Sequence, residues 1–319
     1  MPQQIRKAAA FIALTFLGNW SFALLFWVLG GRWGTPAGTA FGAAYMFVPM
    51  VVAILLQRGV YHEPVKGPLG ISFRLNRWFL VAWWLPPILA AATFGVTLLL
   101  PGIEYSPQMQ GMFERFAPLL TPEQMQQLKE RMAATPIGAL WLTLLQGLLA
   151  GITVNAVAGL GEELGWRGFL HKEWAFLGFW RSSVLIGLVW GLWHAPLILQ
   201  GHNYPQHPVV GVFMMTLLCI LLAPIFSYVR VKARSVIAAA IIHGTFNATY
   251  GLSLVLIRGG SDLTTGVTGL PGFFVLAVVI LILWWHDPNP ARSDVTKGSL
   301  PAQDTDGRRM DRLEFAEKC

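Results

Sequence analysis

The chain has 319 residues, 55% hydrophobic and only 12% charged, with fourteen tryptophans and a mean hydropathy of +0.54. That is about half the charge of a typical soluble domain, so the main solvent for this chain is a lipid bilayer rather than water around one large core. The net charge of +7 is scattered among short loops with no basic block, which argues against a nucleic-acid partner and fits orientation by positive charge. The two cysteines, Cys219 in an apolar run and Cys319 at the C-terminus, supply neither a disulfide framework nor a metal-ligand pattern.

Arg6 and Lys7 followed by apolar sequence from Ala8 resemble a signal peptide, but the apolar stretch runs on to about Gly30 without a cleavage site, which predicts a retained first helix. Eight stretches are long and apolar enough to span a bilayer: 8–30, 38–57, 78–100, 136–162, 183–200, 208–229, 235–257 and 268–286. The fold class is therefore all-α, a polytopic membrane protein. Segments 1–7, 58–77, 163–182, 230–234 and the tail after 286 are basic; 31–37, 101–135, 201–207 and 258–267 are poor in basic residues or balanced by acids. Strict alternation predicts both termini in the cytoplasm. Pro86-Pro87 predicts a kink in the third helix, and Pro196 a break beside His194. Thr121-Pro122-Glu123-Gln124 is a helix start, opening a short interfacial helix on the extracytoplasmic side. The polar tail from Asp287 is expected to be disordered, and Cys319 lacks the three following residues of a prenylation box.

Ionisable residues in such helices mark a function or a buried polar network. Glu163 and Arg167 are i, i+4 neighbours with the acid N-terminal, the better order for an ion pair. Glu162 points about 100° away and has no partner in its segment, so it is free to face a cavity as a general base. His194 lies among Trp190, Trp193 and Pro196, and His243 shares a helix face with Asn247. Read alone, the carboxylates also fit a helix end meeting headgroup water, His194 a hydrogen-bonded core histidine, and His243 with Asn247 an interhelical clamp. Depth separates these readings. Measured from the basic ends, His243 lies on the order of 12 Å deep, Glu162 roughly 14 Å and His194 roughly 16 Å, at about 1.5 Å per residue. Three helices running in different directions thus place polar groups at one level, which predicts one water-accessible site.

Glu162-Glu163-x-x-x-Arg167, Trp190-x-x-x-His194 and His243-x-x-x-Asn247 resemble, in order, the three motifs of the CAAX prenyl endopeptidase family, also called CPBP or Abi. The resemblance covers about residues 136–257, and departs from the usual pattern where Trp190 replaces a phenylalanine. It implies a four-helix catalytic core over 136–257, preceded by three helices and an interfacial segment (1–135) and followed by a last helix (258–286) and the tail (287–319). It implies peptide-bond hydrolysis in a membrane-associated protein or peptide; in eukaryotic members the substrate is a prenylated CAAX protein. Mapped onto this chain, Glu162 and His194 would activate water, His243 and Asn247 would stabilise the oxyanion, and Glu163 with Arg167 would hold the first motif in shape. Glu162, His194 and His243 would be the ligands of a divalent metal such as zinc if one is used; a glutamate mechanism needs none. A bacteriocin-immunity or scaffold protein and a proton-coupled transporter are the other readings, the latter calling for an internal repeat that is not found. The expected partners are the bilayer and a peptide or protein substrate, with the site facing the cytoplasmic side.

Overall fold

The computed structural model describes residues 2–116, 121–133 and 136–290. The expected disordered tail falls almost wholly outside them. The described residues are overwhelmingly helical, because a chain with so few polar groups satisfies its backbone in lipid only within helices or a closed barrel. Among the described residues, five helices are long and apolar enough to cross a membrane. They are α1 (Gln3–Val28), α2 (Pro36–Ile54, continued by a wider π-helical turn to Val60), α3 (Arg77–Thr97), α9 with α10 (Phe179–Trp193 and Ala195–Leu199) and α11 (Pro208–Ala233). This is an integral membrane protein of the helical type.

The other expected spans take different forms. The stretch 136–162 is not one helix. It is α6 (Pro136–Ile152) and α7 (Val154–Glu163) bent by 47° at Thr153, with α7 running on through a π-helical Leu164–Leu170 into α8 (His171–Glu173). At the bend the Thr153 hydroxyl donates to the carbonyl of Leu149 (2.6 Å), a local bond that competes with the helix ladder. The stretch 235–257 divides into α12 (Val236–Thr249) and the short α13 (Leu252–Val255), and 268–286 gives α14 (Leu270–His286), 17 residues long. α3 continues unbroken through the buried Pro86-Pro87, whereas the helix at Pro196 does break, at His194.

Local sequence fixes several helix starts. Thr35, Asn76 and Ser235 cap α2, α3 and α12 by accepting backbone N–H groups at 3.0–3.1 Å. Beyond α4 (Gln110–Phe116), Thr121 and Gln124 exchange hydrogen bonds as the sequence predicts and open α5 (Pro122–Ala133). A two-residue antiparallel ladder joins β1 (Glu104–Tyr105) to β2 (Ile257–Arg258).

The bundle has two distinct ends. At the basic end, Glu63 binds Lys7 and Lys172, Asn76 reaches the carbonyl of Ala233, Ser235 that of Ser72, and Lys232 pairs with Asp287. At the opposite end, the Trp33 ring packs at a tilt against His202, the Tyr204 hydroxyl donates to the carbonyl of Thr268, and His207 meets Asp262. α12 is the buried centre, packed against α3, α6, α7 and α11. Its antiparallel contact with α6 and α7 uses glycine: a Cβ on Gly244 would fall 2.5 Å from the backbone nitrogen of Ala156, and one on Gly151 2.5 Å from the Thr245 hydroxyl. Small residues let two backbones approach this closely in a membrane protein.

Candidate active site

A cavity of about 460 Å³ lies among α2, α7, α9, α11 and α12, and Glu162, Trp190, His194, His243 and Asn247 all line it. The predicted level of polar groups is thus one place in space. Glu163 and Arg167 are adjacent to it but are not part of its lining.

The two glutamates have separate environments, as their positions on α7 predict. Glu163 and Arg167 form a 2.9 Å ion pair with both side chains 0% exposed. The Arg167 guanidinium also lies over the rings of Trp190 (4.5 Å) and Phe226 (5.3 Å). Glu162 turns away. Its Oε2 accepts the indole N–H groups of Trp190 (2.6 Å) and Trp166 (3.3 Å). Its Oε1 stands 3.8 Å from His243 Nε2. That gap is too long for a direct hydrogen bond and is the kind a bridging water fills.

The histidine tautomers follow from their partners. Glu163 Oε1, already accepting from Arg167, lies 2.8 Å from His243 Nδ1, so Nδ1 carries hydrogen. The Nε2 of a neutral His243 then presents a lone pair toward Glu162. His194 Nδ1 lies 2.8 Å from the carbonyl of Trp190, an acceptor only, so its Nε2 is also a lone pair when the ring is neutral. Cys219 Sγ is 3.9 Å from the same His194 Nδ1. His243 rather than His194 is therefore the histidine that faces Glu162. Two imidazole lone pairs and a carboxylate suit a metal chemically, but among the described residues no three His, Cys, Asp or Glu side chains stand together as a metal-holding group.

Sequence reasoning missed three contributors. Asn155 lies on the face of α7 that carries Ala158 and Glu162, a spacing visible in the sequence, and lines the same cavity. Tyr45, whose hydroxyl donates to the carbonyl of Trp193 (2.9 Å), comes from α2, and no spacing links it to the motifs. The indole N–H of Trp190 holds the candidate base, a role that its place in the second motif does not reveal.

Residues 140–249 match the family model of the type II CAAX prenyl endopeptidases, Rce1-like. Over these residues the chain is similar to the CAAX prenyl endopeptidases. The CAAX prenyl protease 2 of Methanococcus maripaludis is 32% identical over 134 residues, which cover 39% of this chain and 46% of that protein. The match thus spans about half the length of that relative. The matched segment contains all three motifs, whereas α2, which supplies Gly42, Tyr45 and Met46 to the cavity wall, lies outside it.

The cavity does not extend to the basic end. Its lining runs from Glu162 and Leu222 up to Trp33, Asn203 and Thr268 in the loops of the opposite end. Below Glu162 the bundle is closed by fully buried Trp166, Arg167, Phe169 and Leu170. The sequence places the three polar groups by their depth from the basic end and expects access there. The three groups do line one cavity, but the cavity's extent is decided by which end the side chains leave unfilled.

Proposed function

We propose that the chain is an intramembrane endopeptidase that hydrolyses a peptide bond of a membrane-associated protein or peptide. Prenylated CAAX termini are the substrates that the family and its relative are named for. The carrying observation is the Glu162–His243 pair, with one open atom on each residue facing the other across 3.8 Å and the remaining polar atom of each already bonded.

In this reading a water between them donates to Glu162 Oε1 and His243 Nε2. Its oxygen attacks the scissile carbonyl carbon while Glu162 takes the proton. The Asn247 amide donates to the resulting oxyanion, and His194 Nε2 accepts a substrate N–H. Collapse breaks the C–N bond, and Glu162 passes its proton to the leaving amine, giving a carboxyl product and an amine product. His243 thus takes the water-activating place that the resemblance gives to His194, because a ring whose Nδ1–H is committed to Glu163 offers an acceptor at Nε2. Glu163 and Arg167 act as positioning residues. No step is routed through a metal, and hydrolysis at an unchanged rate in 1,10-phenanthroline is expected; chelator-sensitive, zinc-restored cleavage would replace this mechanism.

The membrane arrangement belongs to the same reading. It has eight crossings, with α12 as the enclosed one, and both termini on the basic, cytoplasmic side. Residues 136–257 form the catalytic core and the earlier helices complete its cavity.

The test is cleavage by purified protein in liposomes, comparing wild type with Glu162→Gln on a prenylated CAAX peptide and on a transmembrane peptide. Cleavage by wild type and loss of about 10²–10⁴-fold in the variant is expected for a general base. Equal rates would remove Glu162 from the chemistry.

A further inference from the structure

Two prolines each leave a carbonyl without its helical partner, and Tyr45, outside the matched segment, joins the two places. In α2, Pro49 has no N–H for the carbonyl of Tyr45 four residues earlier. Asn19, on α1 and 0% exposed, supplies the missing donor, its Nδ2 lying 2.9 Å from that carbonyl. At the break beside Pro196, the N–H groups of Leu197 and Ile198 both turn to the carbonyl of His194. In an unbroken helix Leu197 would serve Trp193, so the break releases the Trp193 carbonyl. The Tyr45 hydroxyl donates to it at 2.9 Å. Both carbonyls lie within the helical bundle, where an unserved backbone group is costly.

The released carbonyl belongs to the peptide that joins Trp193 to His194. That unit is planar, so holding its oxygen and its nitrogen fixes the direction in which His194 leaves the chain. The nitrogen side is held by the bond from His194 N–H to the carbonyl of Gly191 (3.1 Å), and the oxygen side by Tyr45. The imidazole is held in turn by the Trp190 carbonyl at Nδ1 and by the edge of the Trp193 ring, 4.7 Å away, on which Tyr45 also packs at 4.5 Å. Among the described residues, neither Asn19 nor Tyr45 bonds to Glu162, Glu163 or His243.

We propose that Tyr45, braced by Asn19, is a positioning residue for His194, its hydroxyl fixing the peptide plane that aims His194 Nε2 into the cavity. This rests on the endopeptidase reading for what His194 does to a substrate, but not for the bond or its effect on the ring. It gives the first two helices, which carry none of the three motifs, a part in the site beyond walling it.

The experiment uses the full chain in liposomes with ¹⁵N-labelled histidine, the His194 signals being assigned by their loss in His194→Ala. In Tyr45→Phe, which keeps the ring and removes the hydroxyl, the His194 ring signals are expected to shift or split while those of His243 hold. Unchanged His194 signals overturn the proposal, and so does equal movement at His243, which would make Tyr45 a general packing residue. On the prenylated CAAX peptide, kcat/KM of Tyr45→Phe should fall about five- to tenfold, the effect of one neutral hydrogen bond. Cleavage equal to wild type overturns the positioning role even where the signals move. Moved His194 signals in a protein whose wild type cleaves no peptide would end the endopeptidase reading and leave the Tyr45 bond standing. The brace has its own check in thermal melts. Asn19→Ala should lower the melting temperature, and Pro49→Ala, which returns an N–H to α2, should recover at least half of that loss; no recovery overturns the part given to Asn19.

Discussion

Glu162, His194 and His243 each have one polar atom bonded and one open, and that division predicts distinct mutant behaviour. Glu162→Gln should lose hydrolysis yet melt within a degree or two of wild type, since the amide oxygen still accepts from Trp190. Glu163→Gln and Arg167→Met should instead lower stability, by about 3–5 kcal/mol, because each leaves a buried group without its charge partner. Thermal melts in detergent separate the two classes; stable Glu163 and Arg167 variants would contradict the division. Trp190→Phe restores the ring usual in the family but removes the 2.6 Å N–H bond to Glu162. A loss of about 1.5–3 kcal/mol in kcat/KM, the range for a hydrogen bond to a charged group, is expected, and steady-state kinetics measure it. Unchanged kinetics would make Trp190 a packing residue only.

At the scale of elements, the site depends on how closely α7 and α12 approach, because Glu162 is on one and His243 on the other. Gly244→Ala puts a methyl group against the backbone of Asn155 and Ala156. Overpacking of this kind costs about 1–3 kcal/mol, and here it also widens the gap a water must bridge. The expected outcome is a lower melting temperature together with a larger fall in kcat than in substrate affinity. A variant that loses stability but keeps kcat would uncouple the helix contact from the chemistry. The elements also show where sequence reading falls short. Hydropathy reports that residues 136–162 are apolar but not that they bend, since the bend at Thr153 arises from a side chain competing for a backbone carbonyl and from the close packing of Gly151 on Thr245. The break at His194 was legible because Pro196 removes a ladder hydrogen bond.

For the whole molecule, the basic end is tied by Glu63, whose carboxyl is held down to about 2 by hydrogen bonds from Lys172 and Lys7, outweighing its small desolvation. A carboxyl lowered in the folded state contributes stability above its unfolded value, near 4.3, and that contribution is lost as the pH falls toward 2. Melting temperature should therefore decline below about pH 4. The decline should be shallower in Glu63→Gln, and identical pH profiles would exclude this network as the acid-sensitive element. With Glu63 34% exposed, solvent keeps the effect modest.

The sequence by itself determined the helical membrane class, the two ends distinguished by charge, the capped helix starts and the split between Glu162 and Glu163. Each of these depends on local composition or on spacing along one helix, where 3.6 residues per turn converts position into direction. Only the tertiary structure decided which histidine faces Glu162, that Trp190 bonds to it, that α2 completes a cavity whose motifs all lie elsewhere, and which end of that cavity is open. Those depend on distances between helices remote in sequence, and on which side chains fill the space between them, and neither is encoded in the periodicity of any one helix.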